Sequence, residues 1–255
     1  FWSMYLLGKK MWGVWGGLLA AVLYSYAPYH AVQIYVRGAV GEYWAYAFMP
    51  LAILGFLELK SKNYDYGLLI GSLGFSGVIL SHNITGLITL GLLGIWVVFE
   101  FTAYAITNKF KHLYHEESIN FIWLIGLGLG LAAFFWLPAL SESKFTRVDN
   151  LIHRSNDYHS HFVYPDQLWD STWGYGGSAP GRQDGLSFKL GKLHILLALI
   201  TFFFWIWKKD QKRLVPSANF TWPLILIGLS TVMMLPDSQW FWEHIPLIEY
   251  AQYPW

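Results

Sequence analysis

Residues 66–99 read YGLLIGSLGFSGVILSHNITGLITLGLLGIWVVF. Two apolar stretches, 66–80 and 84–107, meet at Ser81-His82-Asn83. Read as continuous, they form one over-long helix. Read as a tight turn, they form a hairpin of two membrane crossings, and Ser and Asn both suit a turn. The basic residues decide. In the hairpin reading, Lys9, Lys10, Lys60, Lys62, Lys109, Lys111, Lys208, Lys209, Lys212 and Arg213 all fall on one side. The short connections of the other side hold only Arg37. Merging the two stretches would scatter the lysines over both sides, against the excess of Lys and Arg in cytoplasmic connections.

Working outward, a bilayer core of about 30 Å asks for roughly 17–25 apolar residues. Seven segments approach this: 11–27, 43–59, 66–80, 84–107, 119–138, 193–207 and 220–236. The expected fold is an all-α polytopic membrane protein of about seven transmembrane helices, with a cytoplasmic start. Residues 1–138 hold helices one to five and an outer interfacial helix over 28–42. Residues 139–192 form a long extracytoplasmic loop, and 193–255 hold helices six and seven with an outer C-terminal segment. Glu100 lies within the fourth crossing, where a place near the cytoplasmic interface costs least.

Composition agrees. Of 255 residues, 55% are hydrophobic and 13% charged, against about 25% charged in soluble domains. Cys is absent, which excludes a disulfide-stapled domain, thiolate chemistry and Cys-ligated metal. A net charge of +1 predicts no nucleic-acid partner. The sequence opens inside an apolar run, Phe1-Trp2-Ser3-Met4-Tyr5, and stops at Tyr253-Pro254-Trp255. An open-ended piece of a larger membrane protein is expected, one membrane domain truncated at both ends.

Chemistry is expected on the outer side. His30, Gln33, Arg37 and Gly41 fall within an arc of about 80° on a helix, opposite Val32, Tyr35, Val36 and Val40. This describes an amphipathic helix lying in the interface. Arg37 is either a snorkelling anchor or the ligand of a lipid phosphate, which a guanidinium meets with two parallel bonds. Glu42 favours a helix N-terminus, pairs with Arg37, or acts as a base toward a hydroxyl; a continuous helix would set it about 140° from Arg37, so the two meet only if the chain bends near Gly38 or Gly41. His82 is a wet turn residue or a hydrogen-bonding partner for substrate.

The 54 residues of 139–192 exceed the usual length of a structureless connection. They hold His153, His159 and His161 near Asp149 and Asp157. On a strand, His159-Ser160-His161 would put both rings on one face. These two are the candidates for a divalent metal ion; surface histidines are the plainer alternative, since no motif fixes the spacing. Aromatics then alternate with glycines around Trp173-Gly174-Tyr175-Gly176, which fits sugar stacking or aromatics resting on the bilayer interface. Walker A, dinucleotide, G-x-S-x-G and H-E-x-x-H patterns are absent from the sequence.

A set of motifs, taken jointly, resembles a known family. It comprises Pro28-Tyr29-His30, Tyr35-Val36-Arg37-Gly38-Ala39, Glu42, Ser81-His82, Trp136-Leu137-Pro138-Ala139-Leu140 and Glu142. It continues with Trp173-Gly174-Tyr175-Gly176, Ser187-Phe188-Lys189-Leu190-Gly191 and Gln252-Tyr253-Pro254-Trp255. The pattern is similar to the 6-pyruvoyl-tetrahydropterin synthase-related membrane proteins of prokaryotes, a branch of the GT-C glycosyltransferase-like proteins near the YfhO type. The zinc-histidine and cysteine chemistry of the soluble pterin synthase is not implied for a Cys-free membrane chain. The resemblance implies transfer of a sugar from a polyprenyl-phosphate donor to an extracytoplasmic glycan or protein acceptor, at the cytoplasmic membrane. It also implies an acidic residue in the first outer loop as base or metal ligand. That loop would precede Phe1, which leaves Glu42 as the catalytic candidate here. His30, Arg37, His82, Glu142, Trp173 and Tyr175 are the substrate-binding candidates.

A second class of function stays open: a non-catalytic protein that binds or translocates a lipid carrier, or a structural membrane partner. It needs the interfacial helix and the aromatic loop but no base. A transporter should also show ionisable residues at midplane or broken helices.

Overall fold

The computed structural model describes residues 1–107, 116–146, 157–208, 217–246 and 248–255. Every regular element among them is helical. The chain divides into two compact units. The first comprises Phe1–Tyr24 and Ala39–Arg147, and the second Ser25–Gly38 and Val148–Trp255.

The first unit contains α1 (Trp2–Ser25, whose last residue begins the second unit), α3 (Val40–Lys60), α4 (Tyr64–Ser81), α5 (Asn83–Thr107), α6 (Glu116–Leu131) and α7 (Ala133–Ser141). Glycines set its closest packing. On α4, Gly67 and Gly71 face Gly55 of α3, and a Cβ on Gly55 would stand 2.8 Å from the Gly67 carbonyl oxygen. Small residues let helix backbones approach where water cannot drive association. Around this seam, Phe56 stacks between Phe121 (4.8 Å) and Trp96 (5.6 Å), with Leu59, Phe75, Leu93 and Leu124 buried beside it. Leu69, Leu73, Ile88, Val98, Ile122 and Trp123 are exposed, so these helices are apolar all round, as lipid-embedded helices are.

Two helices are long and apolar enough to cross a membrane, Trp2–Ser25 and Val40–Lys60. A third crossing arises if α6 and α7, bent by 72°, count as one. Asn83–Phe99, Lys192–Phe204 and Ile225–Met234 are shorter apolar helices. The junction at His82 is a turn: His82 is extended, and a Cβ on Gly86 would stand 3.1 Å from Ile79, so α5 folds back along α4.

The first of the two long helices is not straight. Gly13 has φ +76° and ψ −175°, a conformation open to glycine. Gly8 and Gly17 touch across it: a Cβ on Gly17 would stand 2.7 Å from the Lys9 nitrogen and 2.9 Å from the Tyr5 oxygen. Nine residues of straight helix would separate them by about 13 Å. The chain therefore reverses at Gly13 into two arms of about 16–18 Å each, short of the bilayer core. This corrects the expected single crossing over 11–27. It also removes the basis for a cytoplasmic start, because Trp2 and Tyr24 lie at the same end of the hairpin. Lys10, in the first arm just before the reversal, pairs with Glu58 near the end of α3 at 2.9 Å, and in the second arm the Tyr24 hydroxyl donates to the Tyr46 carbonyl at 2.7 Å, so the second arm runs antiparallel to α3.

That second bond has a local cause. Pro50 lies inside α3 and has no N–H, so the carbonyl four residues earlier, that of Tyr46, loses its helical donor. The Tyr24 hydroxyl supplies one. Tyr24→Phe is expected to lower stability in detergent by about 1 kcal/mol. In a Pro50→Ala background, which restores the backbone N–H at that position, the same change should cost less than half of that. Thermal melts of the four proteins measure the difference; equal costs in both backgrounds would refute the link.

Candidate ligand-binding site

The second unit begins with α2 (Pro28–Ala31), which Pro28 opens at a position where its missing N–H does no harm. The helix widens into a π-helical turn, Val32–Arg37, closed by Gly38 at φ +60°, whose N–H bonds the Gln33 carbonyl. The expected continuous interfacial helix over 28–42 is therefore broken at Gly38, and α3 starts afresh at Val40. Residues 157–191 form a folded segment containing α8 (Pro165–Trp169). After it come α9 (Lys192–Lys208), α10 (Ser217–Met234) and α11 (Gln239–His244).

An apolar core joins these pieces. Val32, Val163, Leu168, Leu186 and Phe188 are buried together, with Tyr29, Val36, Met234, Leu235 and Trp255 packed against them. Burial of each side chain contributes about 1.5–3 kcal/mol. Backbone bonds fasten the strands of chain between: Val163 N–H to Met234 at 2.9 Å, and Leu190 N–H to Leu168 at 3.0 Å. Gly176 and Gly185 exchange close backbone contacts, and Lys189 and Lys192 both grip Asp170. Those two ammonium groups hold the Asp170 carboxyl below its ordinary pKa.

Tyr29 and Trp255 both hold Arg37. Its Nη1 donates to the Tyr29 hydroxyl at 2.7 Å. Its guanidinium carbon lies 4.8 Å from the centre of the Trp255 ring. Trp255 is itself set by Phe188 at 5.2 Å, Tyr253 at 5.1 Å and Tyr29 at 6.2 Å. Burial raises the pKa of the Tyr253 phenol against the opposing charge of Arg37, so the group stays neutral. The result is a half-buried cation fixed in orientation by a hydroxyl and an aromatic face, an arrangement suited to a phosphate. On the same segment, burial lowers the pKa of His30 and keeps its imidazole neutral near pH 7.

Gln33 lies between Tyr29 and Arg37 at four-residue spacing. The expected polar face would put it toward water. Instead it is fully buried, because the π-helical turn shifts its angular position and the segment sinks into the unit's core. Neither end of its amide has a hydrogen-bond partner among the described residues. Leaving a buried polar group unmet costs about 1–3 kcal/mol.

A second polar cluster ends on Asp184. Its carboxylate accepts from Ser178 Oγ at 3.0 Å, the Ala179 N–H at 2.9 Å and Gln167 Nε2 at 2.6 Å. The Ser178 proton is thereby committed, so His161 Nδ1–H donates to Ser178 Oγ at 3.0 Å. Serine, histidine and aspartate are present, but the serine sits in the middle. An activated nucleophile needs the histidine there, accepting the serine proton. The cluster ties 176–185 to 161–167 and reaches Arg37's neighbourhood through Tyr253, 4.7 Å from the His161 ring.

The remaining candidates separate. His159 and His161 do not share a face as they would on a strand: Tyr158–Ser160 is a 3-10 turn. His159 bonds Asp157 at 2.6 Å and is exposed, whereas His161 is buried. Among the described residues no three of His, Asp or Glu converge as a metal site; His153 and Asp149 lie outside them. Trp173 and Tyr175 are exposed and meet edge to face at 6.3 Å. In the first unit, Glu42 is buried in the first turn of α3. Glu142 is exposed at the end of α7. His82 caps α5, its Nδ1 accepting from the Thr85 N–H at 3.3 Å and lying 2.8 Å from the Thr85 hydroxyl. Tyr29, Gln33, Ser178, Asp184 and Trp255 were not among the sequence candidates. The four-residue spacing of Tyr29, Gln33 and Arg37 was the signal available.

Comparison of the chain with models of known protein families, with curated proteins and with solved structures finds no match.

Two outcomes follow from this geometry. Asp184→Ala leaves three donors without their acceptor and should cost about 2–3 kcal/mol, with faster protease cleavage between 176 and 185; unchanged melting and cleavage would refute the cluster's role. Because the folded His30 has a lowered pKa, the unfolded chain binds the proton more readily. His30's contribution to stability is then complete above about pH 6.5 and declines as pH falls below it. His30→Gln should gain on the parent in melting temperature between pH 7.5 and pH 5. A constant difference across that range would contradict it.

Proposed function

We propose that this protein is a GT-C-like membrane glycosyltransferase, which takes a sugar from a polyprenyl-phosphate donor and passes it to an extracytoplasmic glycan or protein acceptor. The observation that carries the reading is Arg37, fixed between the Tyr29 hydroxyl and the Trp255 ring. As the glycosidic bond breaks, the lipid phosphate gains charge, and a guanidinium already oriented toward it lowers the barrier. The unit that carries Arg37 also carries the apolar helices α9 and α10, which suits a lipid-linked substrate. Glu42 is the candidate base toward the acceptor hydroxyl. In this reading the six remaining apolar segments cross a prokaryotic cytoplasmic membrane, with 139–192 on its outer face.

One observation favours a second reading. The reversal at Gly13 and the 72° bend between α6 and α7 are discontinuous helices of the kind that line translocation pathways. A protein that binds or moves the lipid carrier would use the same Arg37 contact and need no base.

Arg37→Lys keeps the charge and loses the planar fork. It is expected to weaken binding of a polyprenyl-phosphate-linked hexose, in nanodiscs, by about tenfold, or about 1.4 kcal/mol. Lys144→Ala, at an exposed site, should leave binding unchanged. Equal binding by Arg37→Ala and the parent would refute the phosphate role. Sugar transfer that is lost in Glu42→Gln, with donor binding intact, would favour the enzyme over the carrier.

A further inference from the structure

We propose that α11 is an interfacial anchor. Its exposed face, carried by Trp240, Phe241 and Ile245, lies in the boundary between headgroups and acyl chains where α10 leaves the bilayer. The inference rests on reading α10 as a membrane passage, and it assigns the lipid surface to α11 as its partner.

Bonds to the end of α10 set the placement. The Trp242 indole N–H donates to the Met233 carbonyl at 3.0 Å, and the Ser238 hydroxyl donates to the same oxygen at 3.1 Å. Met233 lies in the last turn of α10, where carbonyls lack helical donors. α11 is thereby pinned one short 3-10 turn, Pro236–Ser238, beyond the point where α10 ends. The Val163 N–H bonds the carbonyl of Met234, the last residue of α10, which brings the core of the second unit to the same level. The start of α9 meets that core too. The Leu190 N–H bonds Leu168, and the Lys192 ammonium lies 5.6 Å from the centre of the Trp169 ring. An exposed Trp therefore stands at this end of each apolar helix, Trp169 beside α9 and Trp240 beyond α10. Trp is enriched at membrane–water interfaces.

Three faces of α11 separate by chemistry. At 100° per residue, Trp240, His244, Phe241 and Ile245 span an arc of about 140°. Trp240, Phe241 and Ile245 are 59%, 43% and 46% exposed. His244 lies on the Trp240 ring at 4.5 Å and gives its Nδ1–H to the Trp240 carbonyl at 2.8 Å. Trp242 points elsewhere, buried against Tyr158 at 5.2 Å and Phe162 at 6.2 Å. Gln239 and Glu243 fill the remaining arc and bond each other at 2.7 Å. A helix lying on a lipid surface beside a folded core needs one packed, one wet and one apolar face. The last turns of α10 expose Leu229 and Val232 as well, so exposed apolar side chains continue through the junction. None of the four residues on the apolar face is Lys, Arg, Asp or Glu, so the seat is independent of lipid charge. Through Trp242, the depth of α11 fixes the depth of Tyr158 and Phe162, and with them the folded segment 157–191.

The chain has no cysteine, so a nitroxide can be placed at one site at a time on the full chain in phosphatidylcholine nanodiscs. Collisions with oxygen, which concentrates in lipid, and with a nickel chelate, which stays in water, read its depth. Phe241→Cys and Ile245→Cys should show an oxygen-to-nickel ratio severalfold above that of Glu243→Cys, at a depth of about 5–10 Å. Adding anionic phosphatidylglycerol should leave that ratio unchanged. Ile227→Cys, on α10, should lie deeper. Trp240→Cys reads the same face if Phe241→Cys fails to fold. Labels at Phe241 and Ile245 as open to the nickel chelate as the label at Glu243 would overturn the anchor and leave α10 in the membrane. Labels shielded from both reagents would overturn it in favour of a protein contact. A label at Ile227 that meets water would defeat the membrane reading of α10, and the anchor with it.

Discussion

In an apolar surround, a backbone carbonyl or N–H without a partner costs several kcal/mol, and the described helices are shaped by that constraint. Three interruptions are met by side chains. Pro50 removes the donor to Tyr46, and Tyr24 supplies one. At the bend between α6 and α7, the Trp136 indole N–H reaches the Leu129 carbonyl at 2.8 Å. At the α4–α5 turn, His82 accepts from the first turn of α5. A proline, a 72° bend and a one-residue turn thus become tolerable in a bundle that is otherwise glycine seam and aromatic stack. Tyr, Trp and His are suited to this work because each carries one polar atom on a body that packs well in hydrocarbon.

Against that pattern, Gln33 stands out. Its main-chain carbonyl is satisfied by Gly38, yet its side chain brings a donor and an acceptor into the core and meets neither. The neighbouring Arg37 shows the opposite arrangement: a hydroxyl and a ring hold it, which fixes its direction. Orientation is the property that separates Arg from Lys at such a place. An ammonium on a flexible stem would lose the alignment that Trp255 and Tyr29 impose.

Much of the helical layout was legible in the sequence, because long apolar runs have one low-energy solution in lipid. The apolar segments are helical, although 11–27 holds the reversal at Gly13 and 119–138 the 72° bend, and Ser81-His82-Asn83 is a turn. What escaped was tertiary. Gly13 lies within an unbroken apolar run, and its reversal depends on Gly8 and Gly17 meeting, a pairing that no periodicity shows. Gln33 was placed on a polar face by assuming 100° per residue; the π-helical turn invalidates that step, and the core formed with Val163, Leu186 and Phe188 buries it. The H-x-H pair was likewise read with the wrong backbone, since a 3-10 turn sends His159 to Asp157 and His161 to Ser178.

The Asp184 cluster explains how a glycine-rich aromatic segment becomes a platform for Arg37. Gly174, Gly176 and Gly185 allow two stretches of chain to touch, which by itself would be entropically costly and loose. Asp184 offsets this by collecting three donors, and Ser178 passes the constraint to His161. His161 packs on Tyr253, Tyr253 on Trp255, and Trp255 on the guanidinium. Each contact is modest alone; aromatic pairs contribute about 0.5–1.5 kcal/mol beyond their buried area. In series they fix the plane of one indole. The chain of contacts from a carboxylate to a cation therefore acts through geometry: Asp184 sets where the Trp255 face points, and that face sets which way Arg37 can present its charge.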